Sequence, residues 1–146
     1  MDPLSLLGAG LVCGAFYAFA YRRKGRVGSV RIGAMRIDLR SPAPPAEVFA
    51  AIAAIGPPYH VDDLDRDNRK LVLSSPPSLW SYGFLYPIDV VADDGGTRIE
   101  IGVASRFFHV GPGMGRAHTW CAEAIARLLT LPPARMLGAP SRAPEP

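Results

Sequence analysis

The chain has 146 residues, room for one ordinary domain beside any terminal segment. Apolar residues make up 49% and charged residues 20%, which excludes a disordered chain, while fifteen Pro and fifteen Gly require many turns. The net charge of +3 is unevenly placed: residues 22–40 hold seven cations against one acid, a local +6, and the rest of the chain carries −3, so no basic face remains for a nucleic-acid partner.

Residues 4–21 run from Leu4 to Tyr21 without a charge. Eighteen such residues suit a transmembrane helix, which needs about 17–25. Tyr17 and Tyr21 stand at the end nearest Arg22, Arg23 and Lys24, as interfacial aromatics do. A cleaved signal peptide would carry its cations before the apolar run, whereas here they follow it. The reading is therefore a signal-anchor over residues 1–21 and a basic juxtamembrane segment over 22–28. The positive-inside rule then predicts a single-pass protein of the inner (cytoplasmic) membrane, its domain in the cytoplasm. The bilayer is one expected partner, with anionic lipid headgroups meeting Arg22–Arg26. Gly10 and Gly14 form a small-x-x-x-small pair that lets a second helix approach, so other membrane-protein subunits are expected too.

Residues 29–131 read as one soluble α+β domain. Met35, Ile37 and Leu39 alternate with Arg36, Asp38 and Arg40, a strand whose opposite-parity Val30 and Ile32 imply a bulge at Gly33. Ser41-Pro-Ala-Pro-Pro opens a helix with Val48, Ile52 and Ile55 on one face, ended by Gly56-Pro57-Pro58. Tyr59–Asp65 and Arg69–Ser74 form a hairpin. Leu79–Ala92 is a long apolar strand whose Pro87 argues for an edge or a bulge. Asp93-Asp94-Gly95-Gly96 is a hairpin turn into Thr97–Ser105. A helix from about Arg116 to Leu131 carries a stripe of Trp120, Cys121, Ala124, Ile125, Leu128 and Leu129. Residues 132–146 are a Pro-rich tail. The expected fold is thus an N-terminal transmembrane helix plus a small antiparallel sheet packed by a short helix and a long C-terminal helix, in an order similar to a shortened helix-grip (START-like) domain.

From Ser41 to Leu131 the chain also resembles the domain of unknown function 1499 family. The resemblance is carried by the Pro-rich helix start Ser41–Val48, by Gly83-Phe84 with Ile88-Asp89-Val90-Val91, and by Thr97–Ile101 followed by Val103-Ala104-Ser105-Arg106 and a glycine loop. Ser105 and Arg106 fit that family's Ser-Arg pair, and Gly113 or Gly115 its loop. The family's Asp has no counterpart and His118 stands at its Asn position. The resemblance implies a fold more than an activity.

Residues able to carry chemistry are few. Arg106 could clamp a carboxylate or phosphate with its planar fork, or serve as a structural or partner-facing residue. His118 and Cys121 share a helix face, two ligands where zinc needs three or four, so no metal is expected. Ser105, His118 and Asp89 could be written as a triad, but no nucleophile elbow supports them. Asp62, Asp63, Asp65 and Asp67 read as a solvated acidic run without a calcium loop's Gly and Glu. Cys13 and Cys121 make no disulfide framework. Strand alternation puts Trp80, Tyr82, Phe84 and Tyr86 on one aromatic face, a core, a lipid pocket wall or a docking surface.

These readings lead to a non-catalytic accessory or assembly subunit of a larger membrane complex, such as a respiratory or photosynthetic one. It has no cofactor, and its partner contacts are Gly10, Gly14, Arg22, Arg23, Lys24, Trp80, Tyr82, Phe84 and Arg106. The alternative is a membrane-tethered START-like carrier of a hydrophobic ligand or lipid.

Overall fold

A computed structural model describes residues 3–22, 24–78, 81–107 and 113–130. The expectations placed on Arg23, Trp80 and the tail 132–146 lie outside the described residues. In chain order the elements are α1 (Pro3–Arg22), β1 (Arg36–Ser41), α2 (Pro45–Ala53), β2 (His60–Asp65), β3 (Lys70–Ser74), β4 (Phe84–Asp93), β5 (Gly96–Gly102), β6 (Ala104–Ser105) and α3 (Gly113–Leu128).

The strands form one antiparallel sheet in the order β1-β5-β4-β3-β2, with β6 also paired to β4. Strand parity sorts the side chains onto two faces. Leu39, Leu71, Leu73, Tyr86, Ile88, Val90, Ile99 and Ile101 face inward, against Val48, Phe49 and Ile52 of α2 and Ala117, Cys121, Ala122 and Ile125 of α3. Leu73, Ile88, Ile99, Ile101, Cys121 and Ile125 are fully buried, so no water-sized void touches them. The sheet thus grips α3 around a filled interior.

The expected membrane span requires correction. Among the described residues no helix is long and apolar enough to cross a membrane. The signal-anchor, the single-pass placement in the inner membrane and the cytoplasmic topology drawn from it are withdrawn. Absence of charge was the signal, yet Ser, Gly and Ala fill eight of the positions 4–21.

Two further boundaries and one helix face differ from the sequence reading. β1 begins at Arg36, and residues 24–35 form no strand but a strap across the outer face of the sheet. β4 begins at Phe84, because Gly83 takes φ +85 and breaks the extended run. That break separates Tyr82, 42% exposed, from the buried Phe84 and Tyr86, so the expected single aromatic face does not form. On α3 the buried stripe is Ala117, His118, Cys121, Ala122, Ile125 and Ala126, leaving Trp120 and Leu128 exposed.

Pro87 lies in a central strand rather than at an edge. The register pairs Ile88 with Ile101 and Leu85 with Ala104, which sets Pro87 opposite Gly102. A proline has no N–H to give the ladder, and the pairing lapses there, dividing β5 from β6. Gly102 has no side chain to collide with the ring: a Cβ there would stand 2.9 Å from Pro87 Cγ.

Gly83 supplies the test of this strand boundary. A Cβ on it would stand 2.5 Å from the Ser75 carbonyl oxygen, in a left-handed backbone that L-residues adopt at a cost of about 1–2 kcal/mol. Gly83→Ala should lower stability by at least that amount in a denaturant melt of the full chain. An unchanged melt would show that the turn relaxes freely.

Candidate functional site

The outer face of the sheet is organised by a bulge. The β2–β3 register shifts between Val61 and Asp63, making Asp62 the extra residue. Val61 and Leu64 both pack toward the core, so two consecutive acids are turned to the other side. Asp62 Oδ2 accepts the Gly25 N–H at 2.9 Å, and Asp63 Oδ2 accepts the Val27 N–H at 2.9 Å. Asp62 Oδ1 also accepts the Ser74 hydroxyl at 2.7 Å. These bonds lay the strap on the sheet. Gly25 is needed at the closest approach, since a Cβ there would meet Val72 Cγ1 at 2.6 Å.

Arg106 joins the same node. Its Nη2 lies 3.8 Å from Asp62 Oδ2, and both side chains are 6% exposed. Its backbone N–H reaches the Gly83 carbonyl. The sequence alternatives for Arg106 thus meet a geometry in which it ties the end of β6 to β2 and to the strap. The acidic run is likewise not uniformly solvated: Asp62 and Asp63 hold the strap, while Asp65 caps the turn at Asn68, whose bonds hold its pKa below the usual value.

Between strap and sheet lies an open cleft of about 720 Å³. Val27, Val30 and Ile32 come from the strap, Val72 and Pro87 from the sheet, and Arg31, Arg36, Lys70, Asp89 and Glu100 supply its charges. Most of its lining is polar. Sequence reasoning did not find this site, because the strap is held by backbone N–H groups bonded to acids 36 and 37 positions away.

Residues considered for catalysis are not brought together. His118 is buried on the inner face and its Nε2–H donates to the Ile101 carbonyl at 2.7 Å. Desolvation lowers its pKa, partly opposed by that bond. Burial pushes the Cys121 thiol far up, away from the thiolate that binds metal. Ser105 donates to the Phe107 carbonyl, and Asp89 pairs with Lys70 on the outer face. Among the described residues no group of three metal-ligating side chains occurs.

The expected partner contacts scatter. A Cβ on Gly10 or Gly14 would meet nothing within 4 Å, and Arg22 and Lys24 are exposed. Phe84 belongs to the core. Tyr82 instead stacks edge-on with Phe16 of α1 at 5.8 Å and with Phe107 at 5.4 Å, and Phe16 meets Phe107 at 5.3 Å. That trio brings α1 against the β6 loop.

No family model matches the chain, and no curated protein matches it. Among solved structures it is similar to that described as "Crystal structure of Ara h 8.0201", with a TM-score of 0.50 and 13% identity over 65% of this chain and 93% of that one. At that identity the likeness shows the fold alone, a START-like arrangement, and carries no ligand or activity across.

Two outcomes follow from the buried groups. Arg106→Ala leaves Asp62 short of a partner and should cost about 1–3 kcal/mol, with Arg106→Lys recovering part of it. Amide exchange at Gly25 and Val27 should quicken in Asp62→Ala. Equal melts and equal exchange would remove the node from the account of stability. For His118, the folded pKa lies below the ordinary 6.5. As pH falls below that value the unfolded chain takes up a proton the native chain refuses, so stability declines. It is flat with respect to this group above. His118→Gln should lose that part of the pH slope in melts between pH 7 and 5.

Proposed function

We propose that this chain is a non-catalytic ligand-holding domain, in which a helix-grip sheet carries a small molecule on its strapped outer face. The observation that supports the reading most is the cleft itself. Its volume of about 720 Å³ falls within the roughly 300–1,000 Å³ common to small-molecule sites. The side of the sheet that grips α3 is filled by Tyr86, Ile88, Ile101 and Ile125, so a ligand there would have to displace core side chains. Absence of catalysis is supported by how the polar groups are engaged. His118 and Ser105 bond to carbonyls, and Arg106 pairs with Asp62.

A second reading, an accessory subunit of a larger assembly, is favoured by one observation. Trp120 is 57% exposed and Leu128 42% exposed on the same side of α3, apolar area of the kind partners cover. It predicts that Trp120→Ala with Leu128→Ala releases companion chains without altering the melt.

The first reading is tested on the purified full chain. Denaturing extraction followed by mass spectrometry should release one small molecule at close to one per chain. Val30→Trp, which fills the cleft from the strap, should abolish that release at an unchanged melting temperature. Equal release from both proteins, or none from either, would overturn the cleft as the site.

A further inference from the structure

Across the outer face the strand registers bring four charged residues into one row. Asp38 stands opposite Glu100, Glu100 opposite Asp89, and Asp89 opposite Lys70. Adjacent carboxylates on one sheet face repel, and the row is stable only if cations lie among them. They do. Arg36 Nε lies 3.0 Å from Asp38 and its Nη1 3.7 Å from Glu100, Arg98 Nε lies 3.0 Å from Glu100, and Lys70 Nζ lies 3.1 Å from Asp89. Three acids are thus matched by three cations.

Arg31 is the charge left over. It sits on the strap, lines the same cleft and is exposed. Among the described residues no carboxylate lies within 4.0 Å of it. The cleft therefore carries one positive charge that no acid of the described residues neutralises, beside the half-buried Val30 and Ile32 of the strap. A guanidinium presents paired N–H donors that match the two oxygens of a carboxylate.

We infer that the cleft selects a small monoanion, with Arg31 meeting its carboxylate and the half-buried Val30 and Ile32 of the strap beside it. This rests on the cleft being the ligand site proposed above. The paired cations Arg36, Arg98 and Lys70 contribute less, because recruiting one of them would leave an acid of the row uncompensated.

The test uses the full chain and three probes of equal chain length, octanoate, octanol and octylammonium, followed by amide chemical shifts and calorimetric titration. Octanoate should shift Gly28, Ile32 and Gly33 and bind about tenfold more tightly than octanol, the factor a hydrogen bond to a charged group commonly supplies. Arg31→Gln should bring octanoate down to the octanol level and leave octanol unchanged. Arg31→Glu, provided its melt matches the wild type, should turn the preference toward octylammonium. Equal binding of octanoate and octanol to the wild type, or indifference of octanoate to Arg31→Gln, would overturn the charge selectivity while leaving the cleft as a site. If none of the three probes shifts a cleft amide, the cleft reading itself fails and the inference with it.

Discussion

A carboxylate drawn out of water must find donors to replace that water, and Asp62 finds them on three separate parts of the chain. The Gly25 amide comes from the strap, the Ser74 hydroxyl from β3 and the Arg106 guanidinium from the end of β6. None of the three is close to Asp62 in sequence, so the node can form only when the hairpin, the sheet and the strap are already in place. It therefore fixes the strap as a part of the tertiary structure instead of a trailing segment. The cleft exists because of it: without the Asp62 and Asp63 bonds nothing described here would hold Val27 and Gly25 against the sheet.

The two faces of the sheet solve different problems. The inner face is aliphatic and aromatic, and its tightest positions are closed to solvent, with Tyr59 and Tyr86 meeting edge to face at 5.8 Å. Desolvation there raises the Tyr59 pKa to about 12, which keeps the phenol neutral. The outer face is a charged lattice in which balance is local. Pro87 and Gly102 lie where the lattice and the strap meet, and a Cβ on Gly102 would stand 3.1 Å from Ile32 Cα. The small residue thus admits both the proline ring from its own sheet and the strap from above.

Much of the sheet could be read from the sequence, because its signals are local. The paired runs Tyr59–Asp65 and Arg69–Ser74 on either side of a short polar turn, and the Asp94-Gly95 turn, with Gly95 at φ +76, act over a few residues, and the strands lie where those patterns put them. What the sequence concealed is of longer range. The strap has no periodicity of its own and follows from acids beyond α2. The inward stripe of α3 was displaced by about one residue, because Trp120 was given to the core on hydrophobicity while the sheet received the smaller Ala117, Ala122 and Ala126. Close packing against a full sheet favours small side chains on the helix that covers it. Arg106 was legible as a polar residue of consequence, but its partner was not, since Asp62 looked like one more solvated acid.

The outermost strands carry a consequence of a different kind. β1 and β2 are the two borders of the sheet. An unpaired border is a template on which a foreign strand can add itself. Here β1 alternates Arg36, Asp38 and Arg40, and β2 carries the Asp62–Asp63 bulge, two of the devices by which natural sheets discourage such addition. Growth of the sheet by intermolecular strand pairing, and the fibrous association it would seed, is thereby opposed at both ends.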